Sequence, residues 1–168
     1  MGALQPLVRD PGPDELPLKF GRFLLLEVLG EGGMGAVFRA EMEGPQGFRK
    51  PCALKVMHPS VAVAARRMGI DLKNEAKLGA LLHHPGIVEV YDFGITFGQP
   101  WMAMELVEGT ELSDLVAGAG VLPVTAMLDL GKQVCAALEH AHQLRVQGRL
   151  VQVVHRDQRR ENTVEDTL

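Results

Sequence analysis

The sequence predicts an α+β protein in which an antiparallel sheet comes first and helices follow. Three observations carry that expectation. Between Phe20 and Met57, three short apolar runs are separated by glycine-rich turns. Two further strand-like runs, Ile87 to Phe93 and Pro100 to Val107, follow a helix-periodic stretch. The most regular helical pattern, Pro123 to His142, comes late.

In chain order, residues 1–19 hold Pro6, Pro11, Pro13 and Pro17 and read as a flexible leader. Phe23 to Leu29 is an apolar run that ends in a glycine cluster, and Ala36 to Ala40 is a second short run. The Gly44-Pro45-Gln46-Gly47 turn separates it from a third, Pro51 to Met57. Tight turns between three consecutive runs predict a meander. Val61 to Leu82 carries apolar residues at helical spacing among charges and stops at His83-His84-Pro85-Gly86. Leu112 to Val116 predicts a short helix. In the last helix Met127, Leu130, Val134, Leu138 and Ala141 share one face, with Pro123 near the start.

The chain has 168 residues, 46% hydrophobic and 23% charged, with a formal net charge of −4. That balance gives no reason to expect a nucleic-acid groove or a membrane surface as the main partner. Cys52 and Cys135 both lie in apolar stretches and read as buried free thiols in a reducing compartment. No apolar run approaches the roughly 18 residues of a membrane span. Pro6 stands where a myristoylation signal wants Ser or Thr. A cytoplasmic protein is the expectation.

Gly30-Glu31-Gly32-Gly33-Met34-Gly35 fits G-x-G-x-x-G, a weak signal by itself. Glycines let backbone N–H groups approach phosphate oxygens closely. A dinucleotide-binding turn would continue into a helix, with an acidic residue about 20 positions on. Here the run continues into strand-like Ala36 to Ala40, and Lys55 stands at that distance. No Gly-Lys-Ser/Thr closes the run, so a Walker loop is excluded too. The remaining reading is a glycine hairpin over nucleotide phosphates, with Val37 two residues past the last glycine and a lysine on the third strand in Ala53-Leu54-Lys55-Val56.

With these residues the chain resembles the protein kinases, specifically the bacterial serine/threonine type, whose loops often read G-E-G-G-M-G. The later motifs follow in the family's order. Glu75 falls where the family's helix glutamate belongs, which would hold Lys55 toward the α- and β-phosphates of ATP. Read alone, Glu75 is better taken as a solvated carboxylate beside Lys73 or Lys77, and it is the ordered set of motifs that favours the functional role. Trp101 to Gly109 resembles the fifth strand and hinge, although a buried strand reads the same locally. The resemblance implies Met104 behind the adenine pocket and backbone hydrogen bonds from Glu105 and Val107. Val153 to Asn162 satisfies H-R-D-x-x-x-x-N at full spacing, a far more specific match. It implies Asp157 as the group that accepts the substrate hydroxyl proton and Asn162 as a magnesium ligand. Arg159 stands where the family usually has a lysine touching the transferred phosphate, and its planar fork is a different donor from an ammonium. Asp92-Phe93-Gly94 spells the family's magnesium motif but precedes the hinge, so it reads as strand end and turn.

The resemblance therefore implies a kinase-like fold: a five-stranded antiparallel N-lobe sheet with one helix, then the first helices of an incomplete C-lobe. The expected organisation is a leader at 1–19, an ATP-binding lobe at 20–107 and a partial C-lobe at 108–168. ATP and Mg²⁺ are the implied ligands and a protein serine or threonine the implied acceptor. Only six residues follow Asn162, with no second D-F-G, activation loop or A-P-E segment, so truncation after the catalytic loop is expected. The other reading is an inactive remnant that binds nucleotide or a partner chain through the exposed 123–142 helix.

Overall fold

The structure is a computed structural model that describes residues 13–61, 63, 77–146 and 149–151. The chain forms two compact units, Met1–Leu122 and Pro123–Leu168.

The first unit is built on one antiparallel sheet of six strands: β1 (Leu18–Phe20), β2 (Phe23–Gly32), β3 (Gly35–Glu43), β4 (Arg49–Met57), β5 (Val90–Thr96) and β6 (Gln99–Met104). Their order across the sheet is β1-β2-β3-β4-β6-β5. The antiparallel α+β architecture is the one expected, with one strand more than the five expected. The extra strand, β1, comes from the end of the stretch read as a flexible leader. Leu18 and Lys19 pair with Leu25 and Leu24 on β2. Proline-rich composition masked this strand, but burial of Phe20 holds it in place, since that ring is fully removed from solvent. Residues 1–12 of the expected leader lie outside the described residues.

Side chains alternate across the strands, so one face of the sheet carries the core. Phe20, Phe23, Leu25, Phe38, Ala40, Cys52, Leu54, Val56, Trp101 and Ala103 are buried together there. Phe23 meets Trp101 edge-on, with ring centroids 4.8 Å apart. The indole N–H of Trp101 donates to Thr96 Oγ1 at 2.9 Å, so its one polar atom is satisfied.

Strict alternation cannot accommodate the continuous apolar run of β2. Two bulges resolve it: Leu26 and Leu29 fall at the register shifts opposite β3, and both are exposed.

β5 begins at Val90 rather than Ile87, because Ile87 N–H returns to His84 O around Pro85-Gly86. β6 ends at Met104. The following Glu105 N–H leaves the ladder and donates to Glu89 O at 2.8 Å. Of the helix expected over 61–82, residues 77–79 are helical and 80–81 form a turn, while 64–76 lie outside the described residues. The short helix α1 spans Leu112–Ala119, longer than expected.

In the second unit, α2 runs Val124–His142, within one residue of expectation. Val124, Met127, Leu128, Leu130, Val134 and Leu138 are exposed on it, while Ala137 and Ala141 are buried. After it, β7 (Arg145–Val146) and β8 (Arg149–Leu150) form a minimal antiparallel pair.

Candidate active site

The glycine run is the hairpin that joins β2 to β3. Gly32 pairs with Gly35, leaving Gly33 and Met34 as the two-residue turn. The glycines are not equivalent. A side-chain carbon on Gly30, Gly32 or Gly33 would meet no protein atom within 4 Å. One on Gly35 would stand 2.1 Å from Val56 O, and Gly35 has φ +138. Gly35 is thus required by the close pairing of β3 on β4, whereas the other three leave open space beside the backbone. Glu31 and Met34 are exposed on the same hairpin. Met34 O accepts from His58 N–H at 3.1 Å, which carries the β3–β4 ladder into the turn.

Register places the next set of expected residues on the face opposite the core. Val37 pairs with Lys55 and Lys55 with Met102, forming one row across β3, β4 and β6. Arg39 pairs with Ala53 and Ala53 with Met104, forming the adjacent row. Gly30 pairs with Val37, so the glycine hairpin rises from the Lys55 row. The structure therefore brings Val37, Ala53, Lys55 and Met104 to one face, with the hairpin at its end. Lys55 sits on a strand bonded on both sides, the stiffest position the sheet offers.

The segment after β6 supplies the margin of this face. The N–H of Glu105 is committed to Glu89 O, and its carboxylate accepts from Glu89 N–H at 3.4 Å. Val107, two residues on, is exposed.

Glu75, Asp157, Arg159 and Asn162 lie outside the described residues. Among the described residues, no group of three or more His, Cys, Asp or Glu is placed to hold a metal. None forms a helix long and apolar enough to cross a membrane.

Asp92-Phe93-Gly94 lies in the middle of β5 rather than at the strand end and turn expected, because pairing with β6 continues to Thr96, and Asp92 and Gly94 have structural tasks there. The Asp92 carboxylate pairs with Arg22 and also accepts from Phe93 N–H at 2.8 Å. Gly94 lies under the Trp101 indole, and a side-chain carbon there would stand 2.4 Å from Trp101 Cζ2. The motif in this copy is a packing solution.

The sequence reading names neither Arg39 nor Met102, yet both belong to the two rows. The signal was available: each lies two residues from an expected site residue on the same strand, Val37 and Met104. Arg39 Nε lies 3.4 Å from Glu27 and Nη1 lies 3.7 Å from Glu108.

Comparison with known proteins agrees with this geometry. The model of the family described as "Protein kinase domain" matches residues 23–167. Serine/threonine-protein kinase pkn2 of Myxococcus xanthus is 34% identical over 150 residues, which cover 89% of this chain and 16% of that protein. Serine/threonine-protein kinase PknI of Mycobacterium tuberculosis is 35% identical over 126 residues, 74% of this chain and 21% of that protein. The crystal structure of the M. tuberculosis PknI kinase domain matches with a TM-score of 0.62 at 35% identity, covering 76% of this chain and 50% of that one. The chain thus spans about half of that solved kinase domain and 16% and 21% of these two curated relatives. Six-stranded sheet, glycine hairpin, lysine strand and sequence kinship together place this chain in the protein kinase domain family, among relatives of the bacterial serine/threonine type.

Proposed function

We propose that this chain binds Mg-ATP on the face of the sheet opposite the core, and that the domain it belongs to passes the γ-phosphate to a serine or threonine hydroxyl of another protein. The observation that carries the reading is the pair of rows Val37–Lys55–Met102 and Arg39–Ala53–Met104, with open space beside Gly30, Gly32 and Gly33 at their end.

Each group has a role in that reading. Val37, Ala53 and Met104 give an apolar bed for the purine. The Glu105 carbonyl and the Val107 N–H meet its hydrogen-bonding edge. Backbone N–H groups of Gly30 to Gly35 face the phosphates, and small residues there let oxygen approach the main chain. Lys55 neutralises the α- and β-phosphates, with Glu75 holding its ammonium by a charge-assisted pair. Asp157 accepts the hydroxyl proton, Arg159 contacts the transferred phosphate, and Asn162 holds magnesium. The metal, when bound, would neutralise phosphate charge as transfer proceeds. In this reading residues 20–107 form the nucleotide lobe, 108–168 begin the acceptor lobe, and the protein works in the cytoplasm.

The test is phosphotransfer from Mg-ATP to a mixed serine and threonine peptide pool by the full chain, with Asp157→Asn as reference. Turnover above that reference supports catalysis by this chain. Turnover equal to it leaves the chain a nucleotide-binding lobe at most. Thermal stabilisation by ATP that disappears in Lys55→Met supports the binding site, and no stabilisation of the wild-type chain removes it.

A further inference from the structure

Arg39 occupies the row of Ala53 and Met104 but differs from both in carrying a charge. Its guanidinium reaches two carboxylates from separate parts of the chain. Glu27 is its register partner on β2, and Glu108 lies in the segment that follows β6. In the sheet, β4 stands between β3 and β6, so no backbone ladder joins the glycine hairpin to that segment. Arg39 spans the gap with a side chain. Its Nε is shielded from solvent and finds no aligned acceptor, although the Glu27 carboxylate is within ion-pair distance. The guanidinium is therefore neutralised on both sides yet incompletely hydrogen-bonded, an arrangement that a small movement of the hairpin can improve or break.

We infer that Arg39 is a positioning residue, a clasp that ties the glycine hairpin to the hinge through Glu27 and Glu108 and so sets the opening of the nucleotide slot. The inference rests on the ATP-site reading above. The clasp acts on the purine half of the ligand, because Arg39 stands in the Ala53 and Met104 row and Lys55 stands in the other. The rival account is charge alone, in which Arg39 merely offsets two carboxylates at the mouth of the slot.

The two accounts predict opposite signs. Adenosine and ATP binding to the full chain is measured by calorimetric titration for wild type, Arg39→Met, Arg39→Lys, Glu108→Gln and the Arg39→Met/Glu108→Gln double variant. A clasp weakens adenosine binding by about two- to five-fold in Arg39→Met and in Glu108→Gln, the scale of an exposed ion pair. The double variant is then no weaker than Arg39→Met alone, and Arg39→Lys falls between wild type and Arg39→Met. Unchanged adenosine binding, with ATP weakened by Arg39→Met and tightened by Glu108→Gln, overturns the clasp in favour of charge. Amide hydrogen exchange of residues 30–35 without nucleotide gives a readout independent of binding. Faster exchange there in both single variants, with β4 unchanged, supports the clasp, and unchanged exchange overturns it. If wild type binds neither adenosine nor ATP while exchange accelerates as expected, the clasp stands and the ATP-site reading falls.

Discussion

Arg22 and Asp92, 70 residues apart in the chain, meet as an ion pair between the β1–β2 turn and the edge strand β5. Three strands separate β2 from β5 in the sheet, so the pair closes a strongly curled surface on itself. Arg22 also lies over the rings of Phe23 and Trp101, at 5.3 and 5.6 Å from their centroids. Beside it, Gly21 at φ +58 brings the β1–β2 turn against the Thr96 side chain. Both charged groups are nearly half exposed, so solvent screening limits what their attraction contributes.

Asp92→Asn is therefore expected to lower unfolding free energy by about 0.5–1 kcal/mol, read from the urea midpoint at constant slope. The same variant is expected to keep wild-type nucleotide and magnesium affinity. A large loss of magnesium-dependent nucleotide binding with stability preserved would return Asp92-Phe93-Gly94 to the metal role that its position in β5 argues against.

The glycines of the hairpin should separate by stability and binding. Gly33→Ala meets open space and is expected to change stability by less than about 0.5 kcal/mol. It should nonetheless weaken ATP binding if phosphates approach the main chain there. Gly35→Ala drives a carbon into Val56 O at a φ that disfavours side chains, and its expected cost exceeds about 2 kcal/mol. Gly94→Ala, forced against the indole of Trp101, should cost roughly 1–3 kcal/mol without touching nucleotide affinity. Chemical unfolding alongside nucleotide titration reads all three.

Lys55→Met removes a charge from a partly buried position on a central strand, and its apolar replacement fits the row with Val37 and Met102. At ligand near 100 times its dissociation constant, binding adds about 2.7 kcal/mol, or roughly 5 to 10 °C for a chain of this size. The wild-type shift with Mg-ATP should be of that order. Lys55→Met should lose most of it and keep the shift produced by adenosine.

The two thiols should behave oppositely. Cys52 is fully buried among Leu25, Phe38 and Leu54, and burial raises its thiol pKa above the ordinary value. Cys135 on α2 is exposed, against the expectation of two buried thiols, because it lies off the α2 face that holds buried Ala137 and Ala141. A thiol reagent is expected to label Cys135 within minutes and Cys52 only on unfolding. The folded chain holds the Cys52 proton to higher pH than the unfolded chain does. Its contribution is therefore complete below the unfolded thiol pKa of about 8.5 and is lost as pH rises through the raised folded value. The urea midpoint should fall between about pH 7 and about pH 9.5, and fall less in Cys52→Ala.

Much of this architecture was legible because its signals are local. The Gly44-Pro45-Gln46-Gly47 turn is a tight turn in the structure, with positive φ at Gln46 and Gly47. The spacing of Val37 to Lys55 is fixed by β3, that turn and β4, so one motif pair determined a register. What escaped depends on contacts distant in sequence. β1 is three residues long, and its stability comes from Phe20 packing in the core, where it also meets Phe97 at 6.1 Å between ring centroids. The bulges at Leu26 and Leu29 are invisible in a run of apolar residues. The place of Arg39 in its row was readable from Val37, but its partners were not, since Glu27 and Glu108 come from either side of it, 12 and 69 residues away. Conversely, Asp92-Phe93-Gly94 shows that a correct string can serve another purpose, and only its place before the hinge revealed that.

The edge-on contact of Phe23 with Trp101 has a consequence for the order in which the protein is made. A ribosome releases β2, β3 and β4 well before β6, so the meander can pair early through short turns. Until Trp101 has emerged, Phe23 lacks the indole that covers it and Val56 lacks its register partner on β6. The nascent sheet therefore passes through a period with an open apolar face and an unpaired β4 edge, the state most exposed to wrong partners. Completion of β6 ends that exposure, in the same step that brings Met102 and Met104 beside the lysine strand.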